Sequence, residues 1–123
     1  MIENILFCSL GGFIGAILRY KIGGFVLHHT KNSTFPFSTF AVNFLGSFLF
    51  GFLFFWNQKH QFFNQQYSIF IFTGILGAFT TFSAFCYETV YLIKRKKYLT
   101  AYANIIFSLI FSISAIFIGK YLI

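Results

Sequence analysis

The chain has 123 residues, of which 58% are hydrophobic, 22 are phenylalanine and only 9% carry charge, against about 25% charged residues in soluble domains. So small a soluble fold could not hide that much apolar surface, so a water-soluble domain is excluded and lipid is left as the covering medium. The formal net charge of +7 is compatible with nucleic acid, but the basic residues gather at the ends of apolar runs, the pattern of membrane anchoring, and no nucleic-acid partner is expected.

Four runs reach the length of about 20 mostly apolar residues that a membrane crossing requires. They cover approximately residues 5–27, 37–56, 67–93 and 99–122 and predict an all-α integral membrane protein with a single four-helix transmembrane domain over 1–123. The loops 28–36, 57–66 and 94–98 leave no room for a soluble domain.

The first run lacks a basic leader and a small-residue cleavage site, so it reads as a retained span rather than a signal peptide. Gly11 and Gly15 form a GxxxG pair, which lets helix backbones approach closely, and Arg19 and Lys21 are its internal basic residues. His28, His29 and His60 lie in loops with no carboxylate or cysteine beside them and read as solvated side chains; Cys8 and Cys86 read as small packing residues.

Pro36 precedes the second span, where its missing N–H costs least. Within that span Thr39, Asn43, Gly46, Ser47 and Gly51 recur every three to five residues and share one face. Asn104, Ser108 and Ser112 recur every four residues in span four and share another. Such stripes read either as helix–helix hydrogen bonding or as the lining of a polar track. Ser47 and Ser114, taken singly, read as helix–helix contacts.

Span three holds the segment GILGAFTTFSAF at 74–85. At 1.5 Å per residue this longest span exceeds a hydrocarbon core of about 30 Å. Tilt absorbs such an excess, and so does a break, for which Gly74, Gly77, Thr80 and Thr81 are the candidate residues. A broken helix exposes carbonyls and amides at mid-membrane. Glu88 and Arg19 fall near the same membrane face if spans alternate, which suggests that they pair; Arg19 also has the charge to draw anions into a vestibule. From the residues alone the solute is a small polar species or an anion.

Three ordered motifs carry a resemblance across nearly the whole chain: GGFIGAILRY at 11–20, FPFSTFAVNFLGSFLFG at 35–51 and GILGAFTTFSAFCYE at 74–88. They resemble those of the Fluc or CrcB fluoride channels. The differences, at Ser38, Ala78 and Ala84, exchange one small residue for another. The resemblance implies a multi-pass protein of a bacterial plasma or inner membrane, not an enzyme, which passively exports cytoplasmic fluoride. It implies an antiparallel dual-topology homodimer, or a heterodimer with a related subunit, with the third helix broken near its middle. It further implies a fluoride path along Asn43, Phe82 and Phe85, aided by hydroxyls here at Thr39, Thr81, Ser83, Ser108 and Ser112. A structural, untransported sodium ion would be held by the backbone carbonyls of Gly77 and Thr80. On this reading the glycines let the helix open.

Two other functions fit worse. A small four-helix multidrug/proton antiporter needs a deep carboxylate, whereas Glu3 is terminal and Glu88 lies near a span end. A non-transporting assembly subunit accounts for the small residues but not for two polar stripes and a Phe/Thr cluster. The basic residues are uneven: Lys59 and Lys120 lie on the N-terminal side, against Lys31, Lys94, Arg95, Lys96 and Lys97 on the other, which favours one orientation over its inverse.

Overall fold

The computed structural model describes all residues from Met1 to Ile123, folded as helices without strands. Helix α1 spans Ile2–His29, an apolar run without proline, with Glu3 in its first turn and His28 and His29 in its last, each on the end that suits the helix dipole. Helix α2, Phe37–His60, starts directly after Pro36 and ends at Gln61, which takes a left-handed conformation (φ 50°).

The third crossing is composite. A single turn, α3 (Gln65–Ser68), is capped by Asn64, whose side chain accepts from the Tyr67 N–H at 2.8 Å. A π-helical segment follows over Ile69–Leu76, then a short α4 (Gly77–Phe79). The chain is extended at Thr80 and Thr81 and resumes as α5, Phe82–Lys94. Helix α6, Tyr98–Tyr121, completes the bundle. Ile2–His29, Phe37–His60, Gln65–Lys94 and Tyr98–Tyr121 are each long and apolar enough to cross a membrane, with mean hydropathy from 1.5 to 2.1. The protein is therefore a multi-pass membrane protein.

Small residues decide the packing. α1 lies along the π-helical segment and α2 along α6. A Cβ on Gly11 would collide with the Phe70 carbonyl and Gly74 Cα, and one on Gly15 with the Ile75 backbone. At the second seam a Cβ on Gly51 would strike the Ile116 backbone, and one on Gly119 the backbone of Phe48 and Phe52. Backbones this close give the van der Waals contact that holds helices together where lipid removes the hydrophobic drive. Gly51, expected on the polar stripe, is thus a packing residue.

Only 17 of the 123 residues are buried, so the helices present Phe13, Ile17, Phe107 and Ile113 outward, as a lipid-facing bundle must.

Candidate functional site

The break in the third crossing is the centre of the site. Thr80 (φ −83°, ψ 155°) and Thr81 (φ −148°, ψ 112°) are β-branched residues in the extended conformation that suits them. The Thr80 N–H and hydroxyl both donate to the Leu76 carbonyl, at 3.1 and 3.0 Å, which closes the preceding turn. Beyond it, lipid offers no replacement partners. Asn43 of α2 supplies them: its Oδ1 accepts from the Thr81 N–H at 2.7 Å and its Nδ2 donates to the Thr81 carbonyl at 3.0 Å. The Thr81 hydroxyl then caps α5 by accepting from the Ala84 N–H at 3.2 Å. Gly77 to Phe79 end the first half, and with Thr80 and Thr81 extended their carbonyls have no helical successor to bond them.

The glycines do not make this opening. Gly77 has ordinary helical angles (φ −63°, ψ −38°), and Gly74 lies within the π-helical segment against Gly11. The extended threonine pair breaks the helix. Gly77 is exposed, and a Cβ there would meet only the Phe72 carbonyl at ordinary contact distance, so nothing within this chain requires glycine at that position.

Two cavities flank the break, and Thr81 lines both. One, of about 390 Å³, is bounded by Asn43, Ser47, Thr80, Phe82, Phe85 and Ser112 among others. The second, of about 520 Å³, includes Arg19, Ser38, Thr39, Ser83 and Tyr87. The rings of Phe82 and Phe85 sit 5.6 Å apart at 37°. Phe85 is buried, whereas Phe82 is 72% exposed on the single chain.

Several expected hydroxyls are engaged internally. Thr39 donates to Glu88 Oε1 at 2.6 Å. This replaces the expected Arg19–Glu88 pair, because Thr39 stands directly opposite Glu88 while Arg19 lines the cavity wall. Ser108 donates to Asn104 Oδ1 at 3.1 Å; Asn104 donates to Thr89 Oγ1 at 2.9 Å; Thr89 donates to the Phe85 carbonyl at 2.8 Å. The upper part of the α6 stripe is therefore a buried tie to α5, with Asn104 1% exposed. Ser112, one turn further on, lines the first cavity, as do Ser108 and Ser47. Ser47, a helix contact if taken singly, is on the cavity side together with Asn43, one turn before it on the same stripe. Thr89 had no signal beyond its spacing of four from Phe85. Thr81 and Ser83 hydroxyls lie 3.3 Å apart at the edge of the second cavity.

A helix break midway along the third crossing, held by an asparagine and flanked by phenylalanines and cavities, defines a multi-pass membrane protein with a polar opening inside its bundle. Residues 6–120 match the family described as CrcB-like protein, Camphor Resistance (CrcB). Similar proteins include the fluoride-specific ion channel FluC 1 of Methanosarcina acetivorans, 40% identical over 95% of this chain and 88% of its own length. The fluoride-specific ion channel FluC of Oceanobacillus iheyensis is 39% identical with the same coverage, and that of Shewanella woodyi is 40% identical over 98% of this chain and 96% of its own length. The chain belongs to the CrcB-like family.

Proposed function

We propose that this protein is a fluoride channel that lets cytoplasmic fluoride leave down its gradient and so lowers its toxicity. The observation that carries this reading is the near-complete match, at about 40% identity, to proteins named fluoride-specific ion channels. The site chemistry agrees with it. A phenyl ring has a positive edge, so Phe82 and Phe85 can face an anion without presenting a full charge that would trap it. Hydration lost by the ion is replaced by neutral donors: the second amide hydrogen of Asn43, Ser47, Ser83 and Ser112, with Arg19 drawing anions into the wider cavity. Thr39, Thr81 and Ser108 act mainly through the bonds they make within the chain.

The functional unit in this proposal is an antiparallel homodimer. In its support, Phe82 and Gly77 are both exposed on the single chain, and a second copy would cover both. The second reading, a heterodimer with a related subunit of opposite orientation, is favoured by the uneven basic residues. In this proposal a sodium ion is held by the backbone carbonyls at Gly77 and Thr80, beside the break, while the Thr80 hydroxyl donates to Leu76 within the chain. Bound there, the cation would neutralise carbonyl dipoles brought together by two copies. Fluoride efflux from liposomes containing this chain alone is the test. Rapid efflux that excludes chloride is expected; no efflux alone, but efflux on adding a related subunit, would select the heterodimer.

A further inference from the structure

We propose that the end of the bundle formed by the 30–36 and 95–97 loops is a docking surface for anionic glycerophospholipid headgroups. Lys94, Arg95, Lys96 and Lys97 are consecutive and exposed, with Lys31 in the facing loop. The chain has only two acids. Glu3 lies at the opposite end bonded to Gln66, and Glu88 has one oxygen occupied by Thr39 and the other buried. Glu88 is the one carboxylate near the basic cluster, and no ion pair joins it to those residues, so their charge is left largely uncompensated.

Its geometry is fixed. Lys96 takes a left-handed conformation (φ 60°), and the Lys96 and Lys97 N–H groups donate to the Ile93 and Leu92 carbonyls, each at 2.9 Å. This Schellman turn pins the side chains relative to the membrane. The Arg95 guanidinium sits over the Tyr91 ring at 5.1 Å. Exposed Tyr91 and Tyr98 flank the turn and hold it at headgroup level. A cleft of about 350 Å³ joins Asn32, Ser33 and Thr34 to Arg95 and Lys97, with Glu88 also on its wall.

An orientation bias alone would need only the charges. The cleft adds amide and hydroxyl donors beside them, a set that matches the acceptor oxygens of a phosphodiester. Leu99, 85% exposed on the next turn, offers apolar surface to acyl chains, which free phosphate lacks.

The test uses the delipidated full chain in neutral detergent, titrated with phosphatidylglycerol or phosphatidylcholine and read by native mass spectrometry. Each basic residue near an anionic surface is worth about fivefold in binding, so phosphatidylglycerol should be retained at least about fivefold over phosphatidylcholine. The triple variant Lys94→Gln, Arg95→Gln, Lys97→Gln should bring that ratio close to one; Lys96 is kept for its turn. The pair Lys59→Gln, Lys120→Gln at the other end should leave it unchanged. Should the triple variant misfold, Arg95→Gln alone should still lower the ratio by up to about fivefold. Equal retention of the two lipids by the unaltered chain, loss of preference in the opposite-end pair, or displacement of phosphatidylglycerol by inorganic phosphate would each overturn the proposal.

Discussion

Asn43 and Asn104 look alike in the sequence: each is an amide within an apolar span, followed four residues later by serine. Their surroundings differ. Asn104 bonds to the side chains of Thr89 and Ser108 and ties α6 to an intact α5. Asn43 bonds to the backbone N–H and carbonyl of Thr81, replacing helical bonds that are absent there. A buried amide in lipid must find partners in either case. Where they are side chains the helices stay whole; where they are backbone, the helix can open. The same residue type therefore makes a fastener at one site and a frame for an opening at the other.

The largest expected effect comes from turning the frame against itself. In Asn43→Asp one oxygen can still accept from the Thr81 N–H, but the other faces the Thr81 carbonyl with negative charge and also repels a passing anion. Losing a buried hydrogen bond costs about 1–3 kcal/mol, or about 5- to 150-fold, and repulsion of the anion adds to it, so liposome fluoride efflux should fall by about 100-fold. Wild-type efflux in this variant would show that the path does not pass Asn43. Next are Phe82→Ile and Phe85→Ile, each expected to slow efflux by at least about tenfold through loss of the positive ring edge. They should separate on stability of the dissociated chain: Phe85 is buried within it and Phe82 is not, so Phe85→Ile should lower its unfolding temperature and Phe82→Ile should not. Normal efflux in both would assign the rings to packing.

Gly77→Val and Gly51→Val sharpen the contrast between a face that this chain fills and one that it leaves open. Valine at 51 must push into the Ile116 backbone and should prevent folding of the single chain. Valine at 77 has space within the chain, so a shift from dimer to monomer in detergent, with helicity unchanged, is expected only if a second copy packs there. An unchanged dimer would remove Gly77 from the interface. Asn104→Ala should act on stability alone. Interhelical bonds of this kind contribute about 0.6–1.7 kcal/mol, so denaturant resistance should drop by about 1 kcal/mol while fluoride over chloride selectivity stays the same. A change in selectivity would put Asn104 on the path.

The four crossings were legible because span length and apolar content are set by bilayer thickness, whatever the helix rotations. Gly11 and Gly15 were legible as packing residues because their spacing alone puts them on one face. The stripes were harder. Spacing says that Asn104, Ser108 and Ser112 share a face, but not that Thr89 stands opposite Asn104, so an internal tie was indistinguishable from a lining. The Arg19–Glu88 expectation failed for the same reason: sequence supplied the charges but not Thr39 at 2.6 Å from the carboxylate. The break was legible in span three, and of its four candidate residues Thr80 and Thr81 carry it while Gly74 and Gly77 stay helical. Glycine permits many conformations without demanding one, whereas two adjacent β-branched residues, with an asparagine to satisfy Thr81, favour the extended state seen here.

Thr80 carries the smallest expected effect and the finest distinction. Its carbonyl lies at the break itself, just past the last helical turn, while its hydroxyl returns to Leu76 and its methyl lies against the position where Gly46 lacks a side chain. Thr80→Ser keeps both the carbonyl and the hydroxyl and removes only the methyl and some preference for extended backbone. The small loss of packing and stiffness corresponds to less than about 1 kcal/mol. Efflux should therefore stay within about threefold of wild type, and its dependence on sodium during reconstitution should be unaltered. Thr80→Val, which keeps the shape and deletes the hydroxyl, makes the complementary test. The Thr80 N–H still donates to the Leu76 carbonyl, so the turn should hold, and again sodium dependence should persist. If either variant abolished the response to sodium while the dimer remained intact, the side chain rather than the carbonyl would hold the cation, and the backbone site proposed at Gly77 and Thr80 would be wrong.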